Sequence, residues 1–300
     1  MDQIELTVPA SLDGARVDKV IAELLGLSRA AASVVVKAGV ELDDAEAKPS
    51  DRVRGGQIIR CQSPEEMTSL IPEAIPFDVL YQDDQLMVVD KPAGVVVHPG
   101  SGQTAGTLAA GLLHRYPALE GVGAEDRWGL VHRLDKDTSG AILVARTQRA
   151  FDRLTAELRR RRINRIYTAL VEGKMGAPTG TIEAPIGRDL IHPTRRAVTP
   201  RGKHARTHYE VLRYYGDSDA SLLSVSLDTG RTHQIRVHLA AIDHPVAADR
   251  LYGATRKDLG SPRTFLHASK LEFTHPETGE RLAVEAPLPD DLSEVLEALS

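Results

Sequence analysis

Residues 129–146 read GLVHRLDKDTSGAILVAR. From Ala141 onward the chain is an apolar run that reads as a buried strand. Just before it, Gly129 to Gly140 gathers His132, Arg133, Asp135, Lys136, Asp137, Thr138 and Ser139 into a loop such a strand would hold rigid. On composition alone the segment reads equally as a polar turn, with Asp137 or Thr138 bonding local backbone and Gly140 turning the chain. Further strand-like runs stand outward from it: FDVLYQ (77–82), QLMVVDK (85–91), VVVHP (95–99), YTALVEG (167–173), HYEVLRYY (208–215) and LLSVSL (222–227). Helical spacing interrupts them at about 104–115, 148–161 and 231–242. Some strands stand in adjacent pairs and others are separated by helices. This predicts an α+β domain with a large, mainly antiparallel sheet flanked by helices, not a regular βαβ series.

The chain has 300 residues, 42% apolar and 26% charged, which excludes a collagen, a coiled coil or a wholly disordered chain. Cys61 is the single cysteine, so no internal disulfide framework or Cys-cluster metal site exists. No uninterrupted apolar run long enough for a membrane span and no signal-peptide pattern is present, so a soluble, cytoplasmic protein is expected. The net charge of −5 argues against a whole-surface nucleic-acid binder. Its distribution argues otherwise. Arg146 to Arg165 holds eight Arg against Asp152 and Glu157, including the run Arg159, Arg160, Arg161 and Arg162. Arg188 to Arg206 holds five Arg and one Lys against Asp189. Part of the first cluster could serve only to complement a helix C-terminus, but four consecutive arginines exceed that need. The guanidinium fork suits phosphate, so RNA or DNA contact is expected on these segments. Glu272 to Ser300 holds eight acids and one Arg, and is expected to face away from it.

Two apolar-periodic stretches, around Val17–Leu25 and after Ser28, with short β-like pieces at 40–42 and 57–61, make a small N-terminal module. Residues 1–61 (core about 15–60) are assigned to it, 62–76 to a Pro-rich linker and 77–300 to the second domain. In the second domain, LDTGRTHQIRVHL (227–239) reads as a strand turning into a helix that begins near Arg231. Gln234 and His238 then share a face, and Arg236 lies on another side. If buried, Arg236 would need a carboxylate, for which the Asp135 loop is a natural source. The histidines show no metal-ligand spacing. GSGQTAGT (100–107) lacks the Gly-Lys-Ser/Thr ending of a phosphate loop, and Ser139 lacks the strand–GxSxG–helix context of a hydrolase.

GLVHRLDKDTSG (129–140) resembles the signature of the RluA-type RNA pseudouridine synthases, in which HRLD carries the catalytic aspartate. KPAGVVVHPG (91–100), NRIYTALVEG (164–173), GRTHQIRVHL (230–239) and HPVAADRLYG (244–253) resemble the family's other motifs in order. RVDKVIAELLGLSRAAASVVVKAGVEL (16–42) is similar to an S4 RNA-binding domain, as in the RluD-like subgroup. The departures are ELDD (41–44) where many members carry an Asn-Gly-like turn, GGQ (55–57) where Gly-Asp is common, and Ala248 where a Gly is usual before the Asp.

The resemblance implies isomerisation of uridine to pseudouridine in RNA, with no metal or organic cofactor. Asp135 is then the catalytic carboxylate and Arg236 the cation beside it, with Arg231 the alternative. Tyr167 would stack on the flipped base and help remove the C5 proton, although an unperturbed phenol is a poor base at neutral pH. Arg133 would occupy the space the base vacates or form a salt bridge, His132 would hold the loop, and Leu134 would line the uridine site. Arg159 to Arg162, with Arg29 and Lys37 of the N-terminal module, would meet RNA phosphates. The subgroup implies large-subunit ribosomal RNA as substrate, as 23S RNA or a ribosomal precursor particle, and a monomer is expected. A synthase acting on transfer RNA and a non-catalytic ribosome-assembly factor are the alternatives. The second is disfavoured because a pure binder has no use for Asp135, Tyr167 and Arg236 together.

Overall fold

A computed structural model describes the chain except residues 1–2, 28–31, 33–34, 37, 63–69, 100–104, 124–126, 190, 193–194 and 254–258. It divides into two compact units, one of residues 1–71 with 99–105, the other of 72–98 with 106–300.

The smaller unit is a four-stranded antiparallel sheet in the order β1 (Gln3–Thr7), β4 (Ile58–Gln62), β2 (Val40–Leu42), β3 (Ala45–Glu46). Helix α1 (Val17–Leu24) buries Val17, Val20 and Ile21 in a cluster with Val40, Ile59 and Cys61. Ala32, Val35 and Val36 of the expected second helix are helical and buried, whereas Ser28, Arg29 and Lys37 lie outside the described residues. Asp43 and Asp44 form the β2–β3 turn with φ of 48° and 66°. Two left-handed positions suit Asn-Gly best, but Asp tolerates them. Asp43 is held there by accepting bonds from the Ile58 N–H at 2.9 Å and from the Gln57 amide at 2.9 Å.

The larger unit is built on a nine-stranded sheet. Its strands are β5 (Asp78–Gln82), β6 (Leu86–Lys91), β7 (Ser139–Ala145), β8 (Asn164–Glu172), β9 (Thr179–Glu183), β12 (Arg206–Tyr215), β13 (Ala220–Leu227), β14 (Leu266–Thr274) and β15 (Arg281–Glu285). They run in the order β5-β6-β7-β14-β8-β13-β12-β9, with β15 beside β14. Only β7–β14 is parallel, so the expected mainly antiparallel sheet is present. A short hairpin, β10 (Ile186–Arg188) with β11 (Arg196–Val198), leaves it between β9 and β12. Helices α2 (Leu108–Arg115), α3 (Gln148–Arg159), α4 (Gln234–Ala241) and α5 (Asp290–Ala298) flank it. Every residue of β7 is buried, and Ala150 and Leu154 of α3 pack into the cluster holding Ala141, Leu143 and Ala145.

Two sequence expectations change. VVVHP (95–99) is not a strand. Its Val96 and Val97 carbonyls instead accept the Leu108 and Ala109 N–H groups at 2.8 and 2.9 Å, satisfying the open first turn of α2. Helix α4 begins at Gln234, not near Arg231. The Gln234 carboxamide accepts the Arg231 N–H at 3.0 Å and the Thr229 hydroxyl at 2.8 Å, closing a turn whose last residue, His233, has φ of 59°.

Candidate active site

The loop before β7 is shaped by backbone bonds from both sides. Gly129 has φ of 74°, and a Cβ there would meet the Ala145 carbonyl at 2.4 Å, so only glycine fits. The Val131 N–H donates to Leu143 O at 3.2 Å, continuing the pairing with β7. The chain then leaves the strand, and His132 replaces the lost backbone acceptor: its Nε2 accepts the Leu143 N–H at 3.1 Å. Burial first, and the charge of Arg165 second, push the imidazole down to about 3. His132 is therefore neutral, with its proton on Nδ1, the ring nitrogen away from Leu143. Beneath the loop, the fully buried Lys91 ammonium donates to the carbonyls of Pro92 (2.7 Å), Val95 (2.9 Å) and Lys136 (3.0 Å). Burial lowers its pKa to about 7, against the pull of Asp137 and Asp135. The KPAG segment thus ties down the residue next to Asp135. Behind the loop, Arg263 donates to Asp137 O and Ser139 Oγ at 3.1 Å each and pairs with Asp291 of α5. Ser139 bonds His267, not His132.

Asp135 enters a cavity of about 500 Å³ whose wall also holds His132, Arg133, Leu134, Arg159, Arg161, Tyr167 and Arg231. Arg236 reaches Asp135 from α4, Nη1 to Oδ2 at 3.4 Å. Its main partner is Asp249: Nε to Oδ2 at 2.6 Å and Nη2 to Oδ1 at 2.8 Å. The sequence reading pointed to the Asp135 loop as partner and passed over Asp249, although HPVAADRLYG contains it. The Asp249 side chain is fully buried and also accepts the Leu251 and Tyr252 N–H groups at 3.0 and 3.2 Å. Burial disfavours the Arg236 cation, but the bonds to Asp249 outweigh it and raise its pKa. Tyr252 packs against the same guanidinium, 5.1 Å from ring centre to Cζ. One edge of Arg236, Nε with Nη2, is thereby fixed, and Nη1 is aimed at Asp135. Arg231 instead donates to the His204 carbonyl at 3.1 Å.

Tyr167 lies on β8 with 5% exposure. Burial pushes its phenol up, Arg165 pulls it down and Asp135 pushes it up again, with a net rise. Tyr167 therefore carries its proton at neutral pH, so cations beside it do not convert it into a phenolate base. Arg133 is exposed in the cavity wall with no carboxylate partner among the described residues. Of the four consecutive arginines, Arg159 and Arg161 reach the cavity, while Arg160 and Arg162 turn to Glu157 at 3.5 and 3.3 Å. Arg165 is a cavity residue that the sequence reading left as one member of a basic cluster.

A family model described as RNA pseudouridylate synthase matches residues 85–241, which carry the loop, Tyr167 and Arg236. The chain belongs to this family. The synthase is 47% identical, over 99% of its length and 88% of the relative's, to the ribosomal large subunit pseudouridine synthase D of Nitrosomonas europaea. It is 40% identical, over 100% and 99%, to the uncharacterized RNA pseudouridine synthase YlyB of Bacillus subtilis. Among solved structures, human RNA pseudouridylate synthase domain containing 1 matches with a TM-score of 0.57 and 28% identity, covering 76% of this chain and 96% of that one. The RluA-type resemblance read from the motifs holds over the larger unit. The synthase has no helix, among the described residues, long and apolar enough to cross a membrane.

Proposed function

We propose that this synthase isomerises uridines of large-subunit ribosomal RNA, as a cytoplasmic monomer, with Asp135 as the catalytic carboxylate. The observation that carries the reading is the Asp249–Arg236–Asp135 chain, which holds one carboxylate oxygen of Asp135, a residue that itself lines the cavity. The reaction breaks the N1–C1′ bond, joins C1′ to C5 of the same base, removes the proton at C5 and adds one at N1. Two routes begin at Asp135: attack on C1′, or removal of a ribose proton. A uridine must leave its stack to reach the carboxylate. Arg133, exposed and unpaired at the wall, fills the space it leaves. The Tyr167 ring offers a flat, nearly dry surface for the base, and its raised phenol makes stacking its principal part. Arg159 and Arg161 take RNA phosphates at the cavity edge, and the N-terminal unit serves as an S4-type module adding further contacts.

Relatives named for the ribosomal large subunit support the choice of substrate. Pseudouridine mapping in ribosomal RNA from cells lacking the gene tests it. Specific large-subunit positions are expected to revert to uridine. Intact modification at every ribosomal position, with losses confined to transfer RNA, would overturn the substrate.

A further inference from the structure

Five arginines line the cavity, and four of them are exposed at its wall. Arg165 alone is buried, with 7% exposure. It precedes Tyr167 by two residues on β8, so both side chains leave the same face of the sheet. Its Nη2 donates to Leu227 O at 3.3 Å, at the end of the neighbouring β13. Its Nη1 fits against Gly230, where a Cβ would stand 2.7 Å away, so the missing side chain makes the room. Its Nε is buried and has no partner. No carboxylate lies within ion-pair distance of it among the described residues. Arg236, by contrast, is committed to Asp249 and Asp135. A buried guanidinium held by one carbonyl is costly unless something brings it negative charge.

The reaction supplies that charge. When N1–C1′ breaks, its electron pair stays with N1 and the uracil becomes an anion, with charge spread over N1, O2 and O4. At C1′ the lost pair is replaced either by a bond from the Asp135 carboxylate or by the pair of the C2′–H bond, whose proton passes to Asp135. Joining C5 to C1′ takes the pair back from the ring and restores Asp135, by release of its bond to C1′ in the first route and by return of its proton to C2′ in the second, and the C5 proton leaves as N1 gains one. In both routes the ring is anionic between the two bond events. We propose that Arg165 is the catalytic cation of this interval: its free N–H groups bind a uracil carbonyl and hold the detached uracil anion while it turns from N1 to C5. A fixed, desolvated donor aimed at developing charge is the arrangement that stabilises such a state most effectively. Arg165 also lowers the pKa of both Tyr167 and His132, which places its field across the cavity. The assignment rests on the reading of this cavity as the uridine site.

The test is single-turnover cleavage of the N1–C1′ bond by the full chain on RNA carrying uridine or 5-fluorouridine at the target. Fluorine withdraws electrons and stabilises the detached ring without help from the protein. Arg165→Gln is expected to lose roughly 100- to 1,000-fold on uridine RNA, with RNA affinity within about twofold of wild type. The loss on fluorouridine RNA is expected to be at least about tenfold smaller, because the leaving group then needs the cation less. Gly230→Ala, which displaces only the tip of Arg165, should show the same contrast at smaller size and keeps the test open if Arg165→Gln does not fold. Equal losses on both RNAs, or a loss confined to RNA affinity, would overturn the role of Arg165. Asp135→Asn, run beside them, separates the two claims: retained cleavage there overturns the cavity reading and the Arg165 role with it.

Discussion

His132 lines the cavity, Arg236 stands behind Asp135, and the two solve opposite electrostatic problems. Arg236 keeps its charge in a largely buried place because Asp249 grips one edge with two bonds and Asp135 meets Nη1. His132 has no such partner and surrenders its charge. The consequence for stability has a definite sign. The folded imidazole titrates at about 3 and the unfolded one near 6.5, so stability conferred above 6.5 is lost as pH falls through that window. Between pH 7 and pH 5 this group should cost about 2 kcal/mol of stability. Urea unfolding of wild type and His132→Gln at the two pH values checks it. The variant should show a smaller drop, and equal drops would contradict the account. At this scale the sequence was only partly legible. Asp135, Tyr167 and Arg236 stand in dense motifs, and the need of a buried Arg for a carboxylate was foreseeable. Asp249 and Arg165 were not, because one depends on a later loop folding back and the other on a space under Gly230.

That loop is the clearest case at the scale of the element. Residues 245–247 lie along the end of β8: the Glu172 N–H donates to Pro245 O at 3.1 Å and the Ala247 N–H to Leu170 O at 2.8 Å. The chain must then turn sharply to deliver Asp249 beneath Arg236, and it does so at Ala248, with φ of 56°. Alanine is strained in that conformation, which explains why the related motif prefers glycine there. Ala248→Gly should therefore stabilise the protein, by about 1 kcal/mol in urea unfolding, with the Arg236–Asp249 pair intact. A destabilised variant would contradict this reading of the turn. Periodicity located α3 well because its apolar residues repeat at helical spacing and Thr147 caps it by accepting the Ala150 N–H at 3.2 Å. It failed at VVVHP and at the start of α4, where side chains and helix ends compete for backbone groups. The strands after Arg263 and helix α5 escaped notice because their charged residues masked the alternation. Yet Asp291 of α5 holds Arg263 against the Asp135 loop.

For the whole molecule, the net charge of −5 averages segments with different tasks. Arg159 and Arg161 stand at the cavity, Arg161 within 3.9 Å of Asp228, and Arg160 and Arg162 are partly neutralised by Glu157. Several acids of the C-terminal stretch serve the sheet, Glu272 bonding Asn164 and pairing with Lys270 and Arg281. What charge patterning conveyed was two arginine-rich segments. Only the fold could show which arginines reach the cavity, since that depends on the direction of each side chain at the end of α3. The central claim is that one carboxylate, fixed by Arg236 and Asp249, does the chemistry. Its most direct test is turnover by the purified Asp135→Asn protein on unmodified large-subunit ribosomal RNA, with RNA affinity measured in parallel. The account predicts no detectable pseudouridine and an affinity within about threefold of wild type, since the change keeps the side-chain shape and removes only the charge. Pseudouridine formed at an appreciable fraction of the wild-type rate would contradict it.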